Sequence, residues 1–332
     1  MIKKPDQYGD IIFFGEKRRV QRRNFIKATA TGAACFSLSG LTLSLPGTAQ
    51  AIEAVSINLV AESVEKTLVD GVTVQVWQFR DTDEPGPGRL ASGLHARVGD
   101  FITVTLTNSL DRPISFVVPG MLDTSSPVAP GATGRYVFRP TEAGSYFYTD
   151  GENGLIGRAM GLSGPLIVLP RGSSNALIAN WTRFTKQYTL LLTEIDTRLN
   201  EAIESGGSFD TATYKPNYFF INGLSYPDTI TNPSTFLEMA LGESVAIRFL
   251  NAGLIFYPMH FHGFHVNVTL RDRRLETRVV AKDSVLVRVG ECVDMMLNVN
   301  QVGDYPIHTH YLPAVTANGV YPKGNMLLMR AV

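Results

Sequence analysis

From residue 52 onward, short apolar runs alternate with clusters of Gly, Pro, Asn and Asp. VQVWQF (74–79), DFITVTLTNSL (100–110), SFVVPG (115–120), GRYVFRP (134–140) and GSYFYTDG (144–151) are strand-like segments, and GPLIVLP (164–170) closes the series. Short runs of this kind, separated by turn formers, predict the strands of a sandwich or barrel. RGSSNALIAN (171–180) is polar and reads as a linker, and one helix is expected near TEIDTRLNEAIES (193–205). The β pattern then restarts with NYFFINGLSYP (217–227), TFLEMALGESVAIRFLNAG (235–253) and DSVLVRVGECVDMMLNV (283–299). The halves echo each other: VGDFITVTLTNSL and LGESVAIRFLNAG both run Gly, acid, alternating strand, Asn. The expectation is an all-β chain of two tandem Greek-key sandwiches. The first spans 52–170, a linker with strand and helix connection spans 171–216, and the second spans 217–332.

Composition supports that picture, with 44% hydrophobic residues, 18% charged, 30 Gly and 18 Pro in 332 residues. The formal net charge is zero, but residues 1–51 hold eight of the basic and three of the acidic residues, leaving an acidic body. A mildly acidic body lacks the footprint that nucleic-acid binding needs. The first 51 residues read as an export signal with a basic start, a weakly apolar middle interrupted by Ser, Thr and Gly, and Ala49-Gln50-Ala51 at the cleavage point. Arg22-Arg23 followed by Asn24-Phe25-Ile26-Lys27 resembles the twin-arginine motif. A periplasmic location follows, with no membrane span after signal removal. Cys35 lies in the signal, so Cys292 alone remains in the mature chain; it reads as a buried, inert thiol.

The chemistry concentrates in two places. YPMHFHGFHV (257–266) and YPIHTHYLPA (305–314) hold five of the six histidines, each with an H-x-H pair. Alternate strand residues share a face, so each pair projects together. Two such strands side by side bring His260, His262, His308 and His310 to one place, enough for a site of three or four imidazole ligands. Imidazole suits copper, zinc, iron and nickel, and copper binds most tightly of the divalent series. Zinc is the rival. The other reading is a metal-free relic held by packing, although buried rings without metal need other partners. His265 has the wrong parity and should face away, and His95 reads as surface. Asp150 and Glu152 in YTDGENG read either as acid/base groups, with Asp150 the catalytic candidate, or as turn residues. Tyr257 and Tyr305 flank the histidines as hydrogen-bond donors or as packing. Met259 and Met326 read as core filling.

These segments, with PGATGRYVF, AGSYFY, GLSGPLIV and FFINGLSYP, resemble the multicopper oxidase family, built from cupredoxin domains, over nearly all of 52–332. The resemblance implies a two-domain member, a homo-oligomer and commonly a trimer, with copper as cofactor. It also exposes gaps. Tyr257 stands where the family has the first histidine of its blue copper, Thr309 replaces the cysteine, and Ala314 replaces the last histidine. In the first domain, Val117, Pro119, Thr149 and Gly151 stand at histidine positions. Without thiolate and imidazoles there is no blue site. The expected function is an exported oxidoreductase acting on a small molecule or dioxygen through a type 2-like all-histidine copper site. The alternatives are a non-catalytic copper-binding, delivery or interaction protein, and a zinc hydrolase.

Overall fold

Phe101–Asn108 shows how the sequence rhythm becomes a strand. Ile102, Val104 and Leu106 are wholly buried, and the intervening threonines are partly exposed. Burying such a side chain contributes about 1.5–3 kcal/mol. The structure, a computed structural model, describes residues 51–83, 93–172, 175–181 and 183–332. The export signal, apart from Ala51, therefore lies outside the described residues.

The first sandwich holds β1 (Ala54–Thr67), β2 (Thr73–Asp81), β3 (Leu94–Arg97), β4 (Phe101–Asn108), β5 (Thr133–Phe138), β6 (Gly144–Thr149) and β7 (Ser163–Leu169). They form one sheet in the order β2-β1-β4-β5 and another in the order β3-β7-β6. Helix α1 (Gly154–Met160) links β6 to β7 and was not foreseen. SFVVPG makes only isolated bridges, such as Val117 to Thr149, because Pro119 and Gly120 end its pairing early.

The second sandwich follows with β8 (Lys186–Ile195), helix α2 (Thr197–Glu204), β9 (Tyr218–Ile221), β10 (Leu237–Met239), β11 (Ser244–Asn251), β12 (Tyr257–Phe261) and β13 (Val266–Arg271). The short strands β14 (Arg274–Leu275) and β15 (Ala281–Lys282) come next, then β16 (Ser284–Val287), β17 (Cys292–Asn298), β18 (Gly303–Thr309) and β19 (Met326–Ala331). Its sheets run β14-β13-β17-β11-β8-β9 and β10-β19-β18-β12-β16. The segment 171–216 is more than a connection. Its strand β8 pairs parallel with β11, and α2 sends Leu199 and Ile203 into the core of the first sandwich. The Asp196 side chain caps α2 by accepting from Arg198 N.

The internal echo has a structural cause. Asn108 and Asn251 end equivalent strands, and both are fully buried. Each Oδ1 accepts from the backbone N–H two residues on, Leu110 or Gly253. Each Nδ2 donates to the carbonyl four residues on, Arg112 or Ile255. One amide thus ties the strand end to its following loop in both halves.

β6, β7, β11 and β17 are buried on both faces, because the two sandwiches pack against each other there. Phe147, Ile167 and Leu169 of the first meet Leu191, Leu250 and Met296 of the second. Within this apolar layer Arg248 and Asp294 pair at 3.0 Å. The Ser145 hydroxyl, from the first sandwich, also donates to Asp294. Gln187 Oε1 accepts from Arg248 Nε and Nη2 at 3.2 and 3.1 Å. His95 lies close enough that burial, followed by the Arg248 charge, pushes its pKa down to about 4. It is therefore a neutral member of this layer and only partly exposed, a change from its reading as ordinary surface. No helix among the described residues is long and apolar enough to cross a membrane.

Candidate metal centre

Strand β12 buries Tyr257, Met259 and Phe261 and turns Pro258 and His260 outward, so the Y-P-M-H-F pattern fixes which face carries imidazole. On β18, Ile307 and Thr309 are buried while His308 faces the same side as His260, its register partner. His262 and His310 continue the two rows just beyond the strand ends and are exposed. Four rings therefore gather on one open sheet face. The ring centroids of His260 and His310 are 4.6 Å apart, those of His260 and His262 4.8 Å, and those of His262 and His308 5.2 Å.

Second contacts orient the rings. His260 Nδ1 lies 3.0 Å from Ser284 Oγ and 3.1 Å from the Asp283 carbonyl, both on the neighbouring β16 edge. His308 Nδ1 lies 3.1 Å from the Thr309 carbonyl. With Nδ1 donating to those oxygens, each ring offers Nε2 as a lone pair. His262 Nε2 and His308 Nε2 are 3.0 Å apart. Two imidazole nitrogens bound to one ion at tetrahedral angle stand about 3.3 Å apart, so this pair already has nearly ligand spacing. No group of three or more His, Cys, Asp or Glu among the described residues is set to hold an ion as the side chains stand. The backbone register has brought the rings together. Burial, then the neighbouring imidazoles, lowers the pKa of His262 and His310, which favours the neutral form that binds metal.

The remaining residues sort by contact. His265 is exposed and makes no ring contact with the four. Asp150 is buried, and its carboxylate accepts from Ser115 N, Glu152 N, Asn153 N and Asn153 Nδ2. Those bonds engage it in organising its own turn and in tying that turn to Ser115, and they support the turn reading over the acid/base one. Glu152 is an exposed member of that turn. Tyr305 packs its ring 4.9 Å from Phe264 and donates to the Val302 carbonyl. Met259 is core. Met326 is not: it is half-buried and directly opposite His308, so its side chain belongs to the histidine face. Cys292 is buried, and burial raises its thiol pKa well above the ordinary value, as an inert thiol requires.

The positions expected to lack ligands are filled. Val117 bridges Thr149, whose hydroxyl donates to the Leu162 carbonyl. Thr309 and Ala314 are wholly buried, and Thr309 Oγ accepts from Tyr311 N. The Tyr257 hydroxyl turns away from the histidines and donates to Glu194 Oε2 at 2.5 Å. Ser284 and Glu194 were missed in the sequence. A serine opening a strand carries no signal of its partner. A lone acid closing the apolar run YTLLLTEI is a signal that the helix reading absorbed.

Two family models, each described as multicopper oxidase, match residues 64–173 and 206–322, together more than half of the chain. No curated protein sequence matches. Among solved structures the chain is similar to the blue copper oxidase from Nitrosomonas europaea, with TM-score 0.72 and 24% identity over 84% of this chain and 86% of that one. It is similar to the multicopper oxidase mgLAC, with TM-score 0.71 and 24% identity over the same shares of the two chains. It also resembles the copper nitrite reductase from Nitrosomonas europaea, with TM-score 0.65 and 20% identity over 84% of this chain and 94% of that one. At these identities the likeness establishes the fold: two tandem cupredoxin-like sandwiches.

Proposed function

The chain belongs to the multicopper oxidase family, whose cofactor is copper, and from that premise we propose that it is an exported, periplasmic oxidoreductase working through one type 2-like, all-histidine copper site without a blue copper. The observation that carries this reading is the gathering of His260, His262, His308 and His310 on one exposed face, with two Nε2 atoms 3.0 Å apart. The donor set fits: neutral imidazole is a good copper ligand, and the rings most engaged through Nδ1 leave Nε2 free.

In this reading His262 and His308 form the nucleus of the site, and His260 and His310 complete it. Bound copper supplies one-electron exchange with a small molecule or dioxygen. Ser284 and the Asp283 carbonyl hold the His260 ring, and the Thr309 carbonyl holds His308. The exposure of His262 and His310 leaves the face open, so substrate meets it directly. Among the described residues no carboxylate hydrogen-bonds to the four imidazoles. The same exposure favours a second reading, a carrier that hands copper to another protein. A trimer is part of the proposal, and light scattering on the exported chain reads it.

Protein folded with copper and zinc both present, then analysed for metal, should retain copper and give a type 2 paramagnetic signal without strong blue absorbance. His260→Ala should lose much of that copper and keep its fold. Zinc instead of copper would favour a hydrolase, and unchanged copper in His260→Ala would sink the site. Turnover of a small reductant by the copper-loaded protein separates enzyme from carrier.

A further inference from the structure

Tyr257 opens the strand that carries His260, but its side chain goes the other way. It is wholly buried in the core of the second sandwich, with its hydroxyl 2.5 Å from Glu194 Oε2. Glu194 sits at the end of β8 and is itself buried. Its Oε1 accepts from Leu254 N and, at 3.4 Å, from the Tyr214 hydroxyl. A side chain at Gly253 would collide with the carboxylate, so the 252–254 loop wraps it closely. Arg158 of α1 anchors that loop by donating to the Ala252 and Gly253 carbonyls at 3.0 and 2.6 Å. The result is a tyrosine–carboxylate–tyrosine chain that begins at partly exposed Tyr214 and ends on Tyr257. From Tyr257 to His260 is about 10 Å along one strand.

We propose that Tyr257 is a redox-active tyrosine, with Glu194 its proton acceptor. A phenol held against a buried carboxylate can lose an electron and a proton together without ever carrying a buried positive charge, which is the costly alternative. One electron leaves Tyr257 for a one-electron oxidant, the phenolic O–H breaks, and its proton goes to Glu194 Oε2. The products are a neutral tyrosyl radical, a neutral carboxylic acid and an oxidant reduced by one electron. An electron from a one-electron reductant then restores the phenolate, which takes the proton back. Burial raises the Glu194 pKa, with the Tyr257 hydrogen bond opposing it, and a carboxylate in that setting takes up a proton readily. The inference goes beyond the copper reading: the pair stands in the chain whether or not the histidines hold metal.

The test uses the full chain freed of metal by a chelator, with photogenerated tris(bipyridine)ruthenium(III) as oxidant and freeze-quenched paramagnetic resonance as readout. The expected result is a tyrosyl radical signal that Tyr257→Phe removes and that Tyr321→Phe, at an exposed tyrosine, leaves in place. Glu194→Gln should lower the radical yield about tenfold, the factor that one charge-assisted hydrogen bond is worth. Thermal melts show whether each variant folds; should Tyr257→Phe fail to fold, Glu194→Gln decides alone. No radical in the wild type, a signal unchanged in folded Tyr257→Phe, or a yield unchanged in Glu194→Gln would overturn the inference. Because no metal is present, none of these outcomes depends on the copper site.

Discussion

Two neighbours of one ring nitrogen decide how available His260 is. Ser284 Oγ and the Asp283 carbonyl hold its Nδ1, and the free Nε2 is what a metal would meet. Removing such an orienting partner costs about 10–100-fold in metal affinity. Ser284→Ala should therefore weaken copper binding by that order in a competition titration, with stoichiometry and fold unchanged. An unchanged affinity would mean that Ser284 does not orient the ring. At the same scale, Asp150 shows why residue type is a poor guide to role. A carboxylate beside a Gly looks like chemistry in the sequence, yet three donors from its own turn and the backbone N–H of Ser115 claim it. Met326 is the opposite case: an apolar residue near the C-terminus that pairing with His308 moves onto the face that matters.

At the level of elements, the site depends on β12 and β18 staying in register, because a one-residue slip would send the imidazoles into the core. The loop after β12 helps to fix that register. Gly263 has φ +70°, and a Cβ there would run into the Tyr305 ring on β18. A left-handed backbone costs a residue with Cβ about 1–2 kcal/mol before any clash. Gly263→Ala should lower the melting temperature and, by displacing His262, reduce copper retention more than a remote variant of equal stability does. Equal retention in the two would show that the loop does not place His262. The strand pattern of H-x-H was legible because parity is local. Which strand lies beside which was not, since β12 and β18 are joined only by long-range pairing.

On the scale of the whole molecule, two sandwiches share an apolar layer with an ion pair inside it. Arg248 is wholly buried and Asp294 nearly so, and Ser145 binds Asp294 across the boundary. Removing one partner of a buried pair strands the other charge, at about 3–5 kcal/mol. Asp294→Asn should lower the urea midpoint accordingly and loosen the two sandwiches together, read as one cooperative transition shifted down. Two separate transitions would mean that the layer does not couple them. Within 171–216, β8 and α2 are neighbours in sequence but pack into different cores.

What the sequence determined by itself is whatever depends on near neighbours: the strand rhythm, the repeated Asn at strand ends, and the parity that puts both histidines of each pair on one face. Those follow from backbone geometry acting over a few residues. The tertiary structure alone decided the facing of the two histidine rows, the Ser284 support, the fate of Asp150 and the burial of Tyr257 against Glu194, 63 residues away in the chain. These contacts are set by which strands pair and which faces pack, and that choice belongs to the hydrophobic cores as wholes, not to any stretch of sequence.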